Sequence, residues 1–439
     1  MPVIERLTAT EILDSRGRPT VSATCMLAGG ACASASAPSG ASTGAAEALE
    51  LRDRDPQRYG GFGCRNAVAR VSGEIHQALA GRSLADQAEL DRALIELDAT
   101  PNKSRLGANA ILAVSVAFAR ASALECGVAL YTHFAGMLGH PPDTLPRLTI
   151  NLFSGGVHAG RQVAIQDVLI VPARPTTIDG SLAMAYDIYQ AAAALVLKRY
   201  RMRLLTADEG GLAPPCESSE ELIEIAMVAI KAAGYRPGSD VMLALDVAAS
   251  QFYANRKYHL DGAALDSAGM IDRLVRWVER YPIVSVEDGL AEDDWDWWPT
   301  LRQALGKRAL VVGDDLLCTN PQRIRRAIDA RACSALLLKP NQIGTLTEAA
   351  EAWRLATEAG WQVTVSVRSG ETEDNWIADL AVGWRGDQFK AGSITQSERL
   401  SKYNRLLAIE GETRWPVVSW RTGPANFSSP CGTLVPLDQ

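Results

Sequence analysis

Between residues 241 and 370, five short apolar runs each end in a polar residue suited to chemistry. VMLALD ends at Asp246, YPIVSVED reaches Glu287, LVVGDD reaches Asp314, ALLLK ends at Lys339, and VTVSVRS passes through Val367 to Arg368 and Ser369. Helical patterns fill the intervals, roughly 25–40 residues each, which is the rhythm of repeated strand–helix units. Such units predict an α/β chain built on a parallel barrel whose strand C-termini share one mouth. Three carboxylates and one lysine at that mouth predict an oxygen-ligand site for a divalent cation beside a base.

The pattern changes on the N-terminal side. Residues 3–27 alternate and predict strands around a turn at Ser15–Pro19. ASASAPSGASTGAAEALELRD then predicts a mobile loop before a helix; no Gly-Lys-Ser/Thr follows, so it is not a Walker loop. Helical patterns cover roughly 65–80, 85–98 and 107–125, which makes the first 140 residues α+β. The Pro-rich stretch HPPDTLPRL sets a domain boundary, with an N-terminal capping domain over 1–140 and the barrel over 141–439. Residues 151–172 predict a strand, a Gly-rich turn and a second strand, so the second domain opens with two antiparallel strands. Helices are predicted over 181–199 and 218–233. Ser218 with Glu221 and Thr345 with Glu348 match capping boxes, and Gly360 is placed to stop the helix after Lys339. WDWW at 295–298 predicts packing rather than a binding platform.

Composition narrows the function classes. The 439-residue chain is 47% apolar with a net charge of −7 and no block of like charge, which argues against a nucleic-acid partner. Eight cysteines without CxxC or metal spacing suit a reducing compartment. The N-terminus has no apolar signal core, and the longest small-apolar run, near 110–119, reads as too short for a bilayer. A cytoplasmic protein without a membrane partner is expected.

Asp246, Glu287 and Asp314 on successive strand ends would suit Mg2+, which takes few protein oxygens and leaves room for water and substrate. The alternative is that each caps the following helix. Lys339, with a buried stem, would have a depressed pKa and could take a proton from carbon next to a carboxylate; otherwise it simply holds the carboxylates together. Asp167 and Glu209 would be the opposing acids, kept protonated to assist a leaving hydroxyl. His158 in GGVHAG either approaches a ligand or is a surface-loop histidine. Arg368 and Ser369 fit phosphate recognition, and Lys390 is a candidate carboxylate partner.

DSRGRPTV, APSGASTG, NKSRLGANAILAVS, ADEGGLAPP, LALDVAAS, VSVEDGLAEDDW, VVGDDLLCTNP, LLLKPNQIGTLTEA, RSGETED and the segment from Lys390 to SERL together resemble the enolase family across almost the whole chain. The resemblance implies an α+β domain capping a modified TIM barrel. It also implies Mg2+ at Asp246, Glu287 and Asp314, with a second ion near the Ser39 loop. Lys339 would be the base, Glu209 would belong to the acid side, and Ser39, His158, Gln166, Arg368, Ser369 and Lys390 would contact substrate. A homodimer or higher homo-oligomer is implied, with Arg16 in the segment associated with its interface.

Two departures stand out. Asp167 replaces the family's Glu in IQDVLI, and Val367 replaces its His before RSGETED. Arg18, Ser154 and Val157 are smaller changes. The metal ligands and the base are untouched, so proton abstraction is expected to survive while the leaving-group side is rebuilt. One reading by analogy is carboxyphosphonoenolpyruvate synthase of phosphinothricin-type antibiotic pathways, joining a CMP-activated phosphonoformate to a phosphoglycerate. A second is phosphopyruvate hydratase, and a third is a non-catalytic binding protein on the same scaffold.

Overall fold

The computed structural model describes residues 1–419. Residues 420–439, the end of the expected second domain together with Cys431, lie outside the described residues.

Strands Ile4–Leu13 and Pro19–Leu27 pair antiparallel. The Asp14 carboxylate closes the turn between them by accepting from the N–H groups of Arg16 and Arg18. A third strand, Cys32–Ser36, completes the sheet. The sequence pattern does not predict this strand, because its Ala/Ser-rich stretch runs directly into the Gly/Ser/Pro-rich loop. Helix Ala108–Glu125 lies against the sheet and is apolar nearly all round, as a fully enclosed helix must be. Its 18 residues, like the 23 of Ile178–Tyr200, are long and apolar enough by composition to cross a bilayer, which corrects the expectation from run length. Here 83% of the first helix is buried inside the protein, so core packing accounts for its apolarity. Helix Leu130–Leu138, not anticipated from the sequence, ends just before His140, and the barrel's first strand begins at Arg147.

Eight strands close the barrel in chain order: Arg147–Ser154, Asp167–Pro172, Val241–Asp246, Ile283–Glu287, Leu310–Gly313, Ala335–Leu338, Gln362–Ser366 and Gln388–Lys390. The last pairs with the first. Strands Val241–Asp246 and Ala335–Leu338 are buried throughout, which is why they read as continuous apolar runs and not as alternation. Leu169, Val171, Met242, Ala244 and Val284 form a cluster separate from the main core, so the barrel interior is packed. The second strand runs antiparallel to both neighbours, as the 151–172 pattern predicts. An antiparallel strand presents its first residue where its neighbours present their last. Asp167 therefore pairs with Ser154 on one side and Asp246 on the other, at the same mouth.

Helices Ile178–Tyr200 and Ser219–Ala232 follow these two strands. Ser218 accepts from the Glu221 N–H and Thr345 from the Glu348 N–H, as the capping-box spacing predicts. Gly360 adopts φ 76° one residue beyond its helix cap. A small ribbon over residues 253–265, absent from the sequence reading, fills the longest interval. Trp298 is fully buried and donates to the Ala291 carbonyl, a packing role.

Candidate active site

The strand ends assemble one cleft, whose walls include His158, Glu209, Asp246, Asp314, Lys339, Val367, Arg368 and Lys390. At its floor the Lys390 ammonium lies 2.7 Å from Asp246 Oδ2 and 2.9 and 2.8 Å from the two oxygens of Glu287. Burial opposes that ammonium charge, but Asp246 and then Glu287 hold its pKa well above the usual lysine value. Burial, reinforced by Asp246, pushes the Glu287 carboxyl well up. Gln166 donates to Asp246 Oδ2 at 2.9 Å, and Gln251 donates in turn to Gln166. Gln166 thus orients a carboxylate as well as facing the cleft.

Lys339 donates to Asp314 Oδ2, and Gln342 donates to Asp314 Oδ1 at 2.8 Å. The expectation of a depressed Lys339 pKa is corrected here. Burial is the largest single effect and lowers it, but the surrounding carboxylates, Asp314 first and then Glu287, together outweigh burial and the shift is upward. A dication on Asp314 would reverse the balance, because it would both occupy that carboxylate and repel the ammonium. Asp288 accepts from the N–H groups of Asp314 and Asp315 at 2.9 and 2.7 Å and so fixes the bend that aims them. Burial, and then Asp314, pushes the Asp315 carboxyl up to about 8. Asp288, Asp314 and Asp315 offer oxygens within 4.8 Å of one another. Both oxygens of Asp288 already accept those N–H groups, so Asp288 braces Asp314, the member this trio shares with the expected Asp246–Glu287–Asp314 oxygen set for a divalent cation.

The opposite wall carries His158, Asp167 and Glu209. Asp167 is fully buried behind the lining, its Oδ1 accepting from the Ser154 hydroxyl and its Oδ2 lying 3.7 Å from His158 Nδ1. Burial raises the Asp167 pKa, the direction a proton-carrying acid requires. Glu209 behaves otherwise. Burial would raise it, but His158, Arg399, Lys390 and Lys339 together bring it to about 2. The expectation that Glu209 stays protonated is corrected by that ring of cations. His158 is buried rather than exposed on a loop, and Asp167 and Glu209 raise its pKa against burial.

On the third side, Arg368 forks onto Glu47 through both terminal nitrogens, at 2.9 and 3.0 Å. Glu47 therefore occupies the planar face that would receive a phosphate. Ser369 Oγ accepts from the Ala41 N–H at 2.7 Å and from Arg16 at 3.3 Å. Ser39 differs from expectation: its backbone bridges Gly370, while its hydroxyl is engaged by Glu50 and Arg52. Ser42 lines the cleft instead. Arg16 turns inward onto Ser369 and the Ser39 carbonyl.

Sequence reasoning missed Arg399, which is fully buried and donates to the carbonyls of Arg368 and Ser369, both at 2.6 Å. Only its place in the SERL motif hinted at it. Asp288 and Asp315, signalled by the doublets ED and DD, were also passed over.

Residues 4–134 match the family model described as enolase, N-terminal domain, and residues 142–416 match enolase, C-terminal TIM barrel domain. Together these matches span most of the chain, and the protein belongs to the enolase family.

Proposed function

We propose that this enolase-family enzyme removes the α-proton of a phosphoglycerate-type substrate and uses the resulting carbanion in a reaction other than simple loss of water. The most specific reading is carboxyphosphonoenolpyruvate synthase, with a CMP-activated phosphonoformate as second substrate. The observation that carries it is a contact between two departures from the family pattern. Ser154 donates to Asp167, drawing a shortened carboxylate back behind His158. The third departure, Val367, is 4% exposed and puts an apolar face into the same cleft. The proton-abstraction side keeps all its groups.

Asp246, Glu287 and Asp314 would hold Mg2+, which when bound supplies positive charge to offset charge developing on the substrate carboxylate. Lys339, its own charge then disfavoured, takes the proton. Arg368 and Ser369 hold the phosphate once Glu47 yields the guanidinium, and Lys390 pairs with the substrate carboxylate. His158 and Gln166 fix orientation. In this reading the C2 oxygen of 3-phosphoglycerate would take the phosphonoformyl group with CMP leaving, and loss of the C2 proton to Lys339 would then expel phosphate from C3 to form the enolpyruvate double bond; an apolar Val367 in place of an ionisable group fits a site that need not assist a departing hydroxyl. A cytoplasmic homodimer or higher homo-oligomer completes the proposal, with no nucleic-acid or membrane partner.

The test is incubation with 2- or 3-phosphoglycerate, with and without CMP-phosphonoformate, and mass spectrometry of the products. A new carboxyphosphono product only with both substrates supports the reading. Rapid phosphoenolpyruvate formation from 2-phosphoglycerate alone would replace it with phosphopyruvate hydratase. Full function of Lys339→Ala in whatever assay the protein satisfies would replace both with a binding role.

A further inference from the structure

We propose that Thr319 and Gln342 are positioning residues for the reaction, locking the Asp314 carboxylate and Lys339 together through a closed ring of hydrogen bonds. The Lys339 N–H donates to Thr319 Oγ1 at 2.9 Å, and the Thr319 hydroxyl donates to Gln342 Oε1 at 2.7 Å. Gln342 Nε2 donates to Asp314 Oδ1 at 2.8 Å, and the Lys339 ammonium closes the ring on Asp314 Oδ2. Thr319 and Gln342 are both 0% exposed and neither lines the cleft, so they act on substrate only through Asp314 and Lys339. The ring has one direction. An ionised carboxylate only accepts, so the Gln342 amide nitrogen must face Asp314 and its oxygen must face Thr319. Thr319 then gives its single proton to Gln342 and accepts from Lys339.

The backbone is bent to serve this ring. Cys318 and Thr319 have φ 48° and 51°. A β-branched residue rarely takes that left-handed conformation, and such outliers persist where surrounding contacts hold a side chain to a task. Here the bend sets the Thr319 hydroxyl between the Lys339 N–H and the Gln342 amide. The Gln342 carbonyl accepts from the Ala48 N–H at 2.7 Å, so the N-terminal domain braces the ring as well. The inference rests on the reading that Asp314 holds Mg2+ and Lys339 takes the proton. Gln342 would then be an outer donor that fixes one oxygen of a ligating carboxylate, a contact typically worth roughly 10–100-fold in metal affinity. Without Thr319 the amide is free to turn its oxygen toward Asp314, and carboxylate and carbonyl repel.

The test uses the full-length, metal-stripped protein, with Mg2+ affinity read by titration calorimetry and turnover of 2- or 3-phosphoglycerate read with CMP-phosphonoformate present. Thr319→Val and Gln342→Met should each weaken Mg2+ binding roughly tenfold. Each should also lower kcat roughly 100-fold while KM for the phosphoglycerate stays within about twofold, since binding groups are untouched and only the reacting geometry shifts. Thr319→Ser keeps the hydroxyl and should return Mg2+ affinity to within about threefold of wild type. Because a buried variant can fail to fold, 15N-glutamine NMR of the unaltered protein provides a second reading, in which Mg2+ should shift the Gln342 side-chain amide signals. Wild-type Mg2+ affinity and kcat in folded Thr319→Val would overturn the inference, as would a Thr319→Ser as impaired as Thr319→Val or a Gln342 signal that ignores Mg2+. Asp314→Asn separates the two levels: unchanged Mg2+ affinity there would overturn the reading of the site, and this inference with it.

Discussion

Lys390→Met tests the electrostatics of the cleft directly. The substitution keeps an unbranched stem and removes an ammonium that is 5% exposed and bonded to both Asp246 and Glu287. Removing one partner of a buried ion pair typically destabilises by roughly 3–5 kcal/mol, because the remaining charge is left uncompensated. With an unfolding entropy of about 2.1 cal/mol/K per residue, a barrel of roughly 275 residues should lose about 5–9 °C in Tm. The ammonium's pKa is raised, so its contribution is fully present below the unfolded lysine value of about 10.4 and is lost only as pH rises through the higher folded value. An assay near neutral pH therefore sees the whole effect. Mg2+ provides the discriminating arm. Without the ammonium its charge no longer competes for the oxygens of Asp246 and Glu287, and only the neutral Gln166 amide still donates to Asp246 Oδ2, so the variant should bind the ion more tightly than wild type. A ligand at a hundredfold excess over its Kd adds about 2.7 kcal/mol. Wild type gains from Mg2+ as well, so the Tm gap seen in EDTA closes according to the ratio of the two Kd values; roughly hundredfold tighter binding by the variant should at least halve it in scanning calorimetry. A gap unchanged by Mg2+ would mean that Asp246 and Glu287 do not hold the ion, and a gap under about 1 °C would mean that the buried pair carries no weight.

Three further outcomes are expected. Val367→His should raise phosphoenolpyruvate formation from 2-phosphoglycerate roughly 100-fold, since it restores an ionisable group beside the substrate; family-like turnover in the wild type would contradict this. Arg399→Lys should raise KM for a phosphorylated substrate about tenfold while circular dichroism and Tm stay near wild type, because a misplacement of about 1 Å at Arg368 and Ser369 matters to binding geometry; an unchanged KM would reduce Arg399 to a packing residue. Asp91→Ala should cost roughly 1–3 kcal/mol in urea unfolding, because it strands the N–H and hydroxyl of Thr347 and removes one acceptor of the Gln87 amide, which keeps Ser115, at the seam between the N-terminal helices and the barrel. A change below about 0.5 kcal/mol would show that water replaces those bonds.

Local pattern alone determined much of this protein. Apolar runs closed by Asp246, Glu287, Asp314 and Lys339 announced barrel strands and one acidic mouth, and Ser218, Thr345 and Gly360 marked helix ends. These features were legible because a cap or a buried strand depends on neighbours a few residues away. Which groups neutralise which was decided only in three dimensions. Arg368 meets Glu47 across 321 residues, Lys390 meets Asp246 across 144, and Asp167 reaches the mouth only because its strand runs against its neighbours. Those pairings set the signs of the Lys339 and Glu209 shifts, both opposite to expectation, and turned the Ser39 hydroxyl away from the cleft. Charge in a buried site is a sum over whatever the fold brings within a few ångströms, and periodicity along a chain carries no record of that sum.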